Sequence, residues 1–279
     1  MDDDANGSNQ KFLSLNYFRH FLLPLPPLPE QRRIAAALSD IDALIDNLDA
    51  LIDKKRLIKQ ATMQQLLSGK KRVNGFNDKW VMKKLGDLCD KITKGTTPSS
   101  LGFDFTECGI NFIKIESIKE NGDIDLDLVA HISSNVHNLL KRSQLKKDDI
   151  LISIAGALGR VCIVKSMHLP ANINQALAII RLKNNVEIDL LYLFYYLSSE
   201  NVQDYISFST VVGAQPNISL EVVSNLEILL PPTLAEQTAI SKILSDMDEE
   251  ISLLEAKKEK YTHLKQGMMS ELLSGRIRI

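Results

Sequence analysis

Apolar positions recur in alternating steps of four and three at two places in the chain. The first run is Ile34, Leu38, Ile41, Ile45, Leu48 and Ile52; the second is Ile240, Leu244, Met247, Ile251 and Leu254, continued by Tyr261, Met268 and Leu272. A period near 3.5 residues is that of a coiled-coil seam, in which each helix buries one apolar stripe against its partner. The pattern predicts two long helices that pair antiparallel, because the domain between them must return its ends close together. Two unconnected surface helices are the alternative. The stretches are also copies of one another. Residues 30–73 lie over 236–279 without a gap, with 19 of 44 positions identical, including Glu30-Gln31 on Glu236-Gln237 and Leu66-Leu67-Ser68-Gly69 on Leu272-Leu273-Ser274-Gly275. Pro29 and Pro231-Pro232 suit helix starts, and Gly69 and Gly275 suit helix ends.

With a one-residue slip the match runs further back, Leu13-Ser14-Leu15 falling on Ile218-Ser219-Leu220 and Leu25-Pro26-Pro27 on Leu230-Pro231-Pro232. Residues 12–25 therefore correspond to the tail of the central domain, and the chain is expected to begin where an earlier copy of that domain would have ended. The polar opening, residues 1–10, reads as a frayed tail. The expected organisation is a tail and domain remnant over 1–29, a first spacer helix over 30–73, a central domain over 74–232 and a second spacer helix over 233–279.

Between the helices the pattern changes to short apolar runs punctuated by Gly, Asn and Pro. Strands are predicted at 111–115, 149–154, 160–164, 176–182 and 226–230, with turns at Asn121-Gly122, 156–159 and Asn184-Asn185. Leu190, Leu193, Phe194 and Leu197 predict a helix over 189–197, and residues 201–206 a second. The fold class is α+β: a mixed helix-and-strand domain carried by two long antiparallel coiled-coil helices.

Charge narrows little. The 279 residues carry 33 Lys+Arg and 35 Asp+Glu, and residues 74–232 carry 15 against 18, a net of −3, so any nucleic-acid surface must be local. Residues 30–73 have a net of +3, with runs at Lys54-Lys55-Arg56 and Lys70-Lys71-Arg72 that suit either phosphates or a solvated helix face. Cys89, Cys108 and Cys162 are odd in number without metal-type spacing, which predicts reduced thiols in a cytoplasmic protein. No leader or membrane span is expected. The five histidines are scattered, and no catalytic arrangement or metal site can be placed. Gly156 and Gly159 lack the third glycine of a dinucleotide loop, and Ser68-Gly69-Lys70 is a helix ending, not a phosphate loop.

In order along the chain come Trp80 with Lys84-Leu85-Gly86-Asp87-Leu88, Lys94-Gly95-Thr96-Thr97-Pro98, Phe112-Ile113-Lys114-Ile115 and Gly122-Asp123-Ile124. Asp148-Asp149-Ile150-Leu151-Ile152-Ser153, Gly156-Ala157-Leu158-Gly159-Arg160, Asn172-Ile173-Asn174-Gln175-Ala176 and Gln215-Pro216-Asn217-Ile218-Ser219 follow. With the flanking Leu-Pro-Pro…Glu-Gln helices, this order resembles the DNA-specificity (S) subunit of type I restriction-modification systems, from Phe12 to the C-terminus. The resemblance implies two target-recognition domains held apart by two helices, each domain reading half of a split DNA target. One such domain is present here, so the chain is expected to homodimerise and read a symmetric split sequence. It implies scaffolding without bond chemistry: a non-catalytic subunit with no cofactor of its own, partnered by double-stranded DNA, by modification (methyltransferase) subunits that use S-adenosylmethionine, and by an ATP-using restriction (motor) subunit. The competing reading is a coiled-coil interaction or regulatory protein, a silent specificity fragment that does not bind DNA.

Candidate DNA contacts are chosen by chemistry on loops. Lys94, Thr96 and Thr97 offer a cation and hydroxyls to phosphate beside Gly95. Asn172, Asn174 and Gln175 carry amides able to pair bidentately with adenine or, equally, to brace a loop. Gln215 and Asn217 flank Pro216 in a rigid turn that suits structure better than contact. Lys114 and Arg160 complete the set.

Overall fold

The computed structural model describes residues 15–20, 25–209 and 217–279; residues 1–14 and Gln215 lie outside these. The chain divides into two compact units, one of Met1–Arg56 with Glu249–Ile279 and one of Leu57–Asp248. The unit that holds the sheets thus also takes in helix residues on both flanks of the central domain expected over 74–232.

After a short helix α1 (Leu15–His20), two forty-residue helices dominate the sequence: α2 (Leu28–Leu67) and α8 (Leu234–Leu273). Both stop in the same way. Gly69 (φ +70°) and Gly275 (φ +74°) adopt the left-handed conformation, and the amides of Lys71 and Ile277 reach back to the carbonyls of Gln65 and Glu271 at 3.1 and 3.2 Å. The helices therefore end about six residues before the repeat does.

In the Met1–Arg56/Glu249–Ile279 unit the seam faces inward. Ile34, Ile41, Leu48 and Ile52 of α2 are buried with Ile251 and Leu272 of α8, while Leu38, Ile45, Leu254, Tyr261 and Met268 are half-buried. Direction follows from the ion pairs. Asp42 meets Lys265, Asp49 meets Lys258 at 2.5 Å and Lys55 meets Glu250 at 2.6 Å, numbers rising on one helix as they fall on the other. The helices run antiparallel. Because such exposed pairs contribute little, the apolar seam supplies the stability and the charges fix the register.

Two of the ion pairs are repeat-equivalent. Glu30 bonds Arg278 in this unit, and Glu236 bonds Arg72 in the other. The Arg278 hydrogen bond holds the Glu30 carboxyl below the ordinary carboxylate range. A depressed folded value means the interaction is present at neutral pH and lost as pH falls through that value. Arg278→Ala is expected to return Glu30 to an ordinary titration, read by NMR from its side-chain carboxyl.

The Leu57–Asp248 unit holds nine strands among the described residues. Strands β1 (Val81–Lys84) and β9 (Glu227–Leu230) pair antiparallel with Val81 opposite Leu230, bringing the two ends of the domain together. Helix α3 (Leu85–Leu88) leads into β2 (Cys89–Lys94). β3 (Ile110–Ile113), β4 (Ala130–Ile132), α4 (Ser134–Leu139), β5 (Ile150–Ser153), β6 (Val161–Ile163), β7 (Ala171–Ile173) and β8 (Leu177–Leu182) follow. α5 (Leu190–Leu197), α6 (Glu200–Ser209) and α7 (Leu220–Ser224) precede β9. One antiparallel sheet has the order β2-β8-β5-β6, and a second, β4-β3-β7, pairs β3 parallel to β7.

The first sheet is buried on both faces. Ile150, Ile152, Ala178 and Ile180 point into the core shared with Tyr192, Leu193, Leu66, Leu67, Ile240 and Leu244, with Met247 packed against it. Leu151, Leu177 and Ile179 point into a second core with Ile113 and Ile173. This is the period-2 alternation of a strand with both sides apolar, which is why β5 reads as an unbroken hydrophobic run. At about 1.5–3 kcal/mol per buried aliphatic side chain, these two strands anchor the unit.

Candidate nucleic-acid interface

Strand β2 ends at Lys94, which is exposed, and the chain turns through Gly95, Thr96 and Thr97. Gly95 is buried: a β-carbon there would lie 1.9 Å from the Ile173 carbonyl oxygen and 2.3 Å from that of Asn174. The turn therefore lies directly on the one joining β7 to β8. That second turn is stapled, since the Asn174 side chain accepts the amide of Ala176 at 3.2 Å and the Asn174 amide donates to Ile113 at 3.4 Å. Gln175 stands exposed at its tip, and the Thr97 hydroxyl donates to its side-chain oxygen.

Arg142 closes the arrangement from a distant stretch of sequence. Its Nη2 donates to the Thr96 hydroxyl at 2.8 Å and to the Gly95 carbonyl at 3.4 Å, and its own carbonyl accepts Lys91 Nζ at 3.1 Å. Lys114, one residue beyond β3, lies 4.4 Å over the ring of Phe105, which is itself edge-on to Phe112 at 5.3 Å. Among the described residues, Lys91, Lys94, Lys114, Lys141 and Arg142 enter no ion pair. In a domain with an excess of acids, this rim brings together cations outside any ion pair among the described residues, the exposed Gln175 amide and the half-buried Thr96 and Thr97 hydroxyls.

The remaining candidates are placed otherwise. Asn172 is fully buried, its amide donating to the Leu140 carbonyl at 3.1 Å and to the Ser143 hydroxyl at 2.8 Å while its oxygen faces His137. Of the two roles open to it, the structure gives it bracing, and it is withdrawn as a DNA contact because no part of the side chain reaches solvent. Arg160 is half-buried and donates to the carbonyls of Ile118 (2.8 Å) and Ile115 (3.5 Å), fastening the turn that follows β5. Asn217 is exposed and bridges Ala155, away from the loop of Thr96 in sequence and bonding. Sequence reasoning missed Arg142 altogether. The only signal available was its place in a Lys-Arg pair before a buried strand.

Among the described residues, no group of three His, Cys, Asp or Glu residues could hold a metal ion, and no helix is long and apolar enough to cross a membrane. Cys89 is buried, which pushes its thiol up to about 12, and Cys108 is exposed; neither forms a disulfide.

A family model described as the type I restriction modification DNA specificity domain matches residues 1–54 and 77–262. The chain belongs to this family. Among specificity subunits, it is 28% identical over 292 aligned residues to the type I restriction enzyme MjaVIII specificity subunit of Methanocaldococcus jannaschii, covering 100% of this chain and 67% of that protein. Similarity extends to the EcoBI specificity subunit of Escherichia coli, 28% identical over 79% of this chain and 50% of the relative. The chain spans one half to two thirds of the length of these relatives. The S subunit structure from M. genitalium shares the fold at a TM-score of 0.60 and 16% identity, over 98% of this chain and 68% of that one. The HsdS structure from Thermoanaerobacter tengcongensis matches at 0.51 and 23% identity, over 99% of this chain and 67% of that one. The α+β fold with two long helices is thus that of type I specificity subunits.

Proposed function

We propose that this specificity subunit reads one DNA half-site with its Leu57–Asp248 unit, while its long helices dock the methyltransferase and restriction subunits. The observation that carries the reading is the rim of Lys94, Thr96, Thr97, Lys114, Arg142, Asn174 and Gln175, which joins cations that enter no ion pair among the described residues to groups able to pair with base edges. Cations and hydroxyls on a duplex set position and amides read sequence, so the rim has both parts of a recognition surface. Along α2, Leu44 and Leu51 lie one heptad apart on a face other than the seam and stay 38% exposed, which suits docking of a partner subunit. Catalysis belongs in this reading to the partners, and S-adenosylmethionine and ATP with them. The working compartment is the cytoplasm, where the DNA is.

The subunit homodimerises in this reading, a second copy supplying a second recognition domain and a two-fold axis imposing equal half-sites. Light scattering at micromolar concentration is expected to give twice the monomer mass for the full chain alone, and with its modification subunit a complex mass that contains two copies of this chain. A single copy of the chain in both cases removes the symmetric target. Duplex binding with the modification subunit is expected to weaken linearly in log–log terms with salt, by about 0.9 per phosphate neutralised. A regulatory protein without DNA contact gives no salt-dependent binding at all.

A further inference from the structure

The rim contains several polar groups, but one of them differs from the rest in how it is held. Gln175 is exposed at the tip of a turn whose backbone is fixed on both sides: Asn174 bonds Ala176 within the turn, and the Gly95 backbone lies against Ile173 and Asn174 with no room for a β-carbon. The side chain is fixed as well, because the Thr97 hydroxyl donates to its oxygen. Thr97 sits in turn beside Thr96, which Arg142 secures at 2.8 Å. A flexible exposed glutamine loses rotamer freedom on binding and discriminates weakly. One locked before binding presents the same donor and acceptor to every base it meets.

The chemistry of that group defines its ligand. With one lone pair of the side-chain oxygen taken by Thr97, a second lone pair and both amide N–H bonds remain. These match the major-groove edge of adenine, whose N6 amino group donates and whose N7 accepts, and they match no other base with two bonds in that sense. Of the two other side-chain amides within three residues, Asn172 is sealed in the interior. Asn174 spends its oxygen on the turn.

We propose that Gln175 is a specificity-determining residue that reads an adenine in the major groove, with Thr97 as its positioning residue and Arg142 and Lys94 as sequence-blind phosphate contacts that set the register. This rests on the reading of the rim as a DNA interface. The guanidinium of Arg142 bonds the loop through one nitrogen, which leaves exposed N–H groups for an anion.

The test uses the full chain with its modification subunit and a library of duplexes randomised over the binding site, with the bound fraction sequenced. The unmodified protein is expected to select a motif containing adenine at the position Gln175 reads. Gln175→Ala lowers the preference at that one position on the order of 10- to 100-fold and leaves the others, and Gln175→Glu moves it towards cytosine, whose N4 amino group donates to a carboxylate. Thr97→Val weakens the preference at the same position, and Thr97→Ser, which keeps the hydroxyl that holds Gln175, retains it. Arg142→Ala lowers binding to all sequences and reduces the salt slope by about one phosphate. Failure of the unmodified protein to select any motif overturns the DNA reading itself. Selection of a motif that Gln175→Ala and Gln175→Glu both leave unchanged overturns the role of Gln175 alone.

Discussion

Asp149→Ala is expected to cost about 3–5 kcal/mol, the penalty for orphaning the partner of a buried ion pair. Asp149 is 1% exposed, and its carboxylate accepts from Nε and Nη2 of Arg181 at 2.7 Å each, together with the Lys146 backbone amide at 2.7 Å. Arg181 also donates to the Gln144 carbonyl at 3.2 Å, so the pair ties the start of β5 to β8 and to the loop before β5. The Asp149 hydrogen bond holds the guanidinium pKa above its ordinary value. Removing it strands a charge against the central sheet. Since a domain is stable by only about 5–15 kcal/mol, thermal denaturation is expected to show a midpoint lower by roughly 10 °C. Asp149→Leu combined with Arg181→Met is expected to recover most of the loss, because no uncompensated charge remains. A single substitution that leaves the midpoint within a degree denies the pair its role in holding the sheet.

Gly95→Ala is expected to separate recognition from folding. The added carbon would meet two backbone carbonyl oxygens at 1.9 and 2.3 Å, and backbone cannot swing aside as a side-chain end can. The turn must lift from β7, and with it the Thr97–Gln175 and Arg142–Thr96 bonds. Overpacking of this kind costs about 1–3 kcal/mol of stability, which the domain survives, whereas displacement of the whole rim is expected to lower duplex affinity on the order of 100-fold. Fluorescence anisotropy with a target duplex, alongside a thermal melt, separates the two effects. Gly267→Ala is the control. It lies within α8 with open space where the carbon would go, so binding is expected to be unchanged and the helix slightly stabilised. Equal binding by both variants removes the turn of Gly95 from the interface.

Much of the architecture is legible because it is periodic. The seam positions repeat every three or four residues over some forty, and the copy at each end repeats the stop signal, so local spacing carries the message. β5 and β8 are visible as runs of Ile, Leu and Ala, and Asp189 marks the start of α5, where its side chain caps the amide of Tyr192 at 2.7 Å. β1 is invisible. Its four residues, Val81 to Lys84, are all exposed and take strand form only through pairing with β9, nearly 150 residues away. The short strands β4 and β7 depend in the same way on β3. Three residues make no pattern.

The sequence by itself determined the repeated helices, their antiparallel pairing, the mixed domain between them and the family, because each rests on spacing or on the order of motifs. Tertiary structure alone decided which polar groups face solvent and which of them meet. Asn172 and Gln175 carry the same amide chemistry three residues apart, yet one is sealed beneath Leu140 and Ser143 while the other stands at a turn tip. Arg142 reaches Thr96 across 46 residues of chain. Burial and long-range contact arise when sheets and turns stack, and neither leaves a local trace in composition or period.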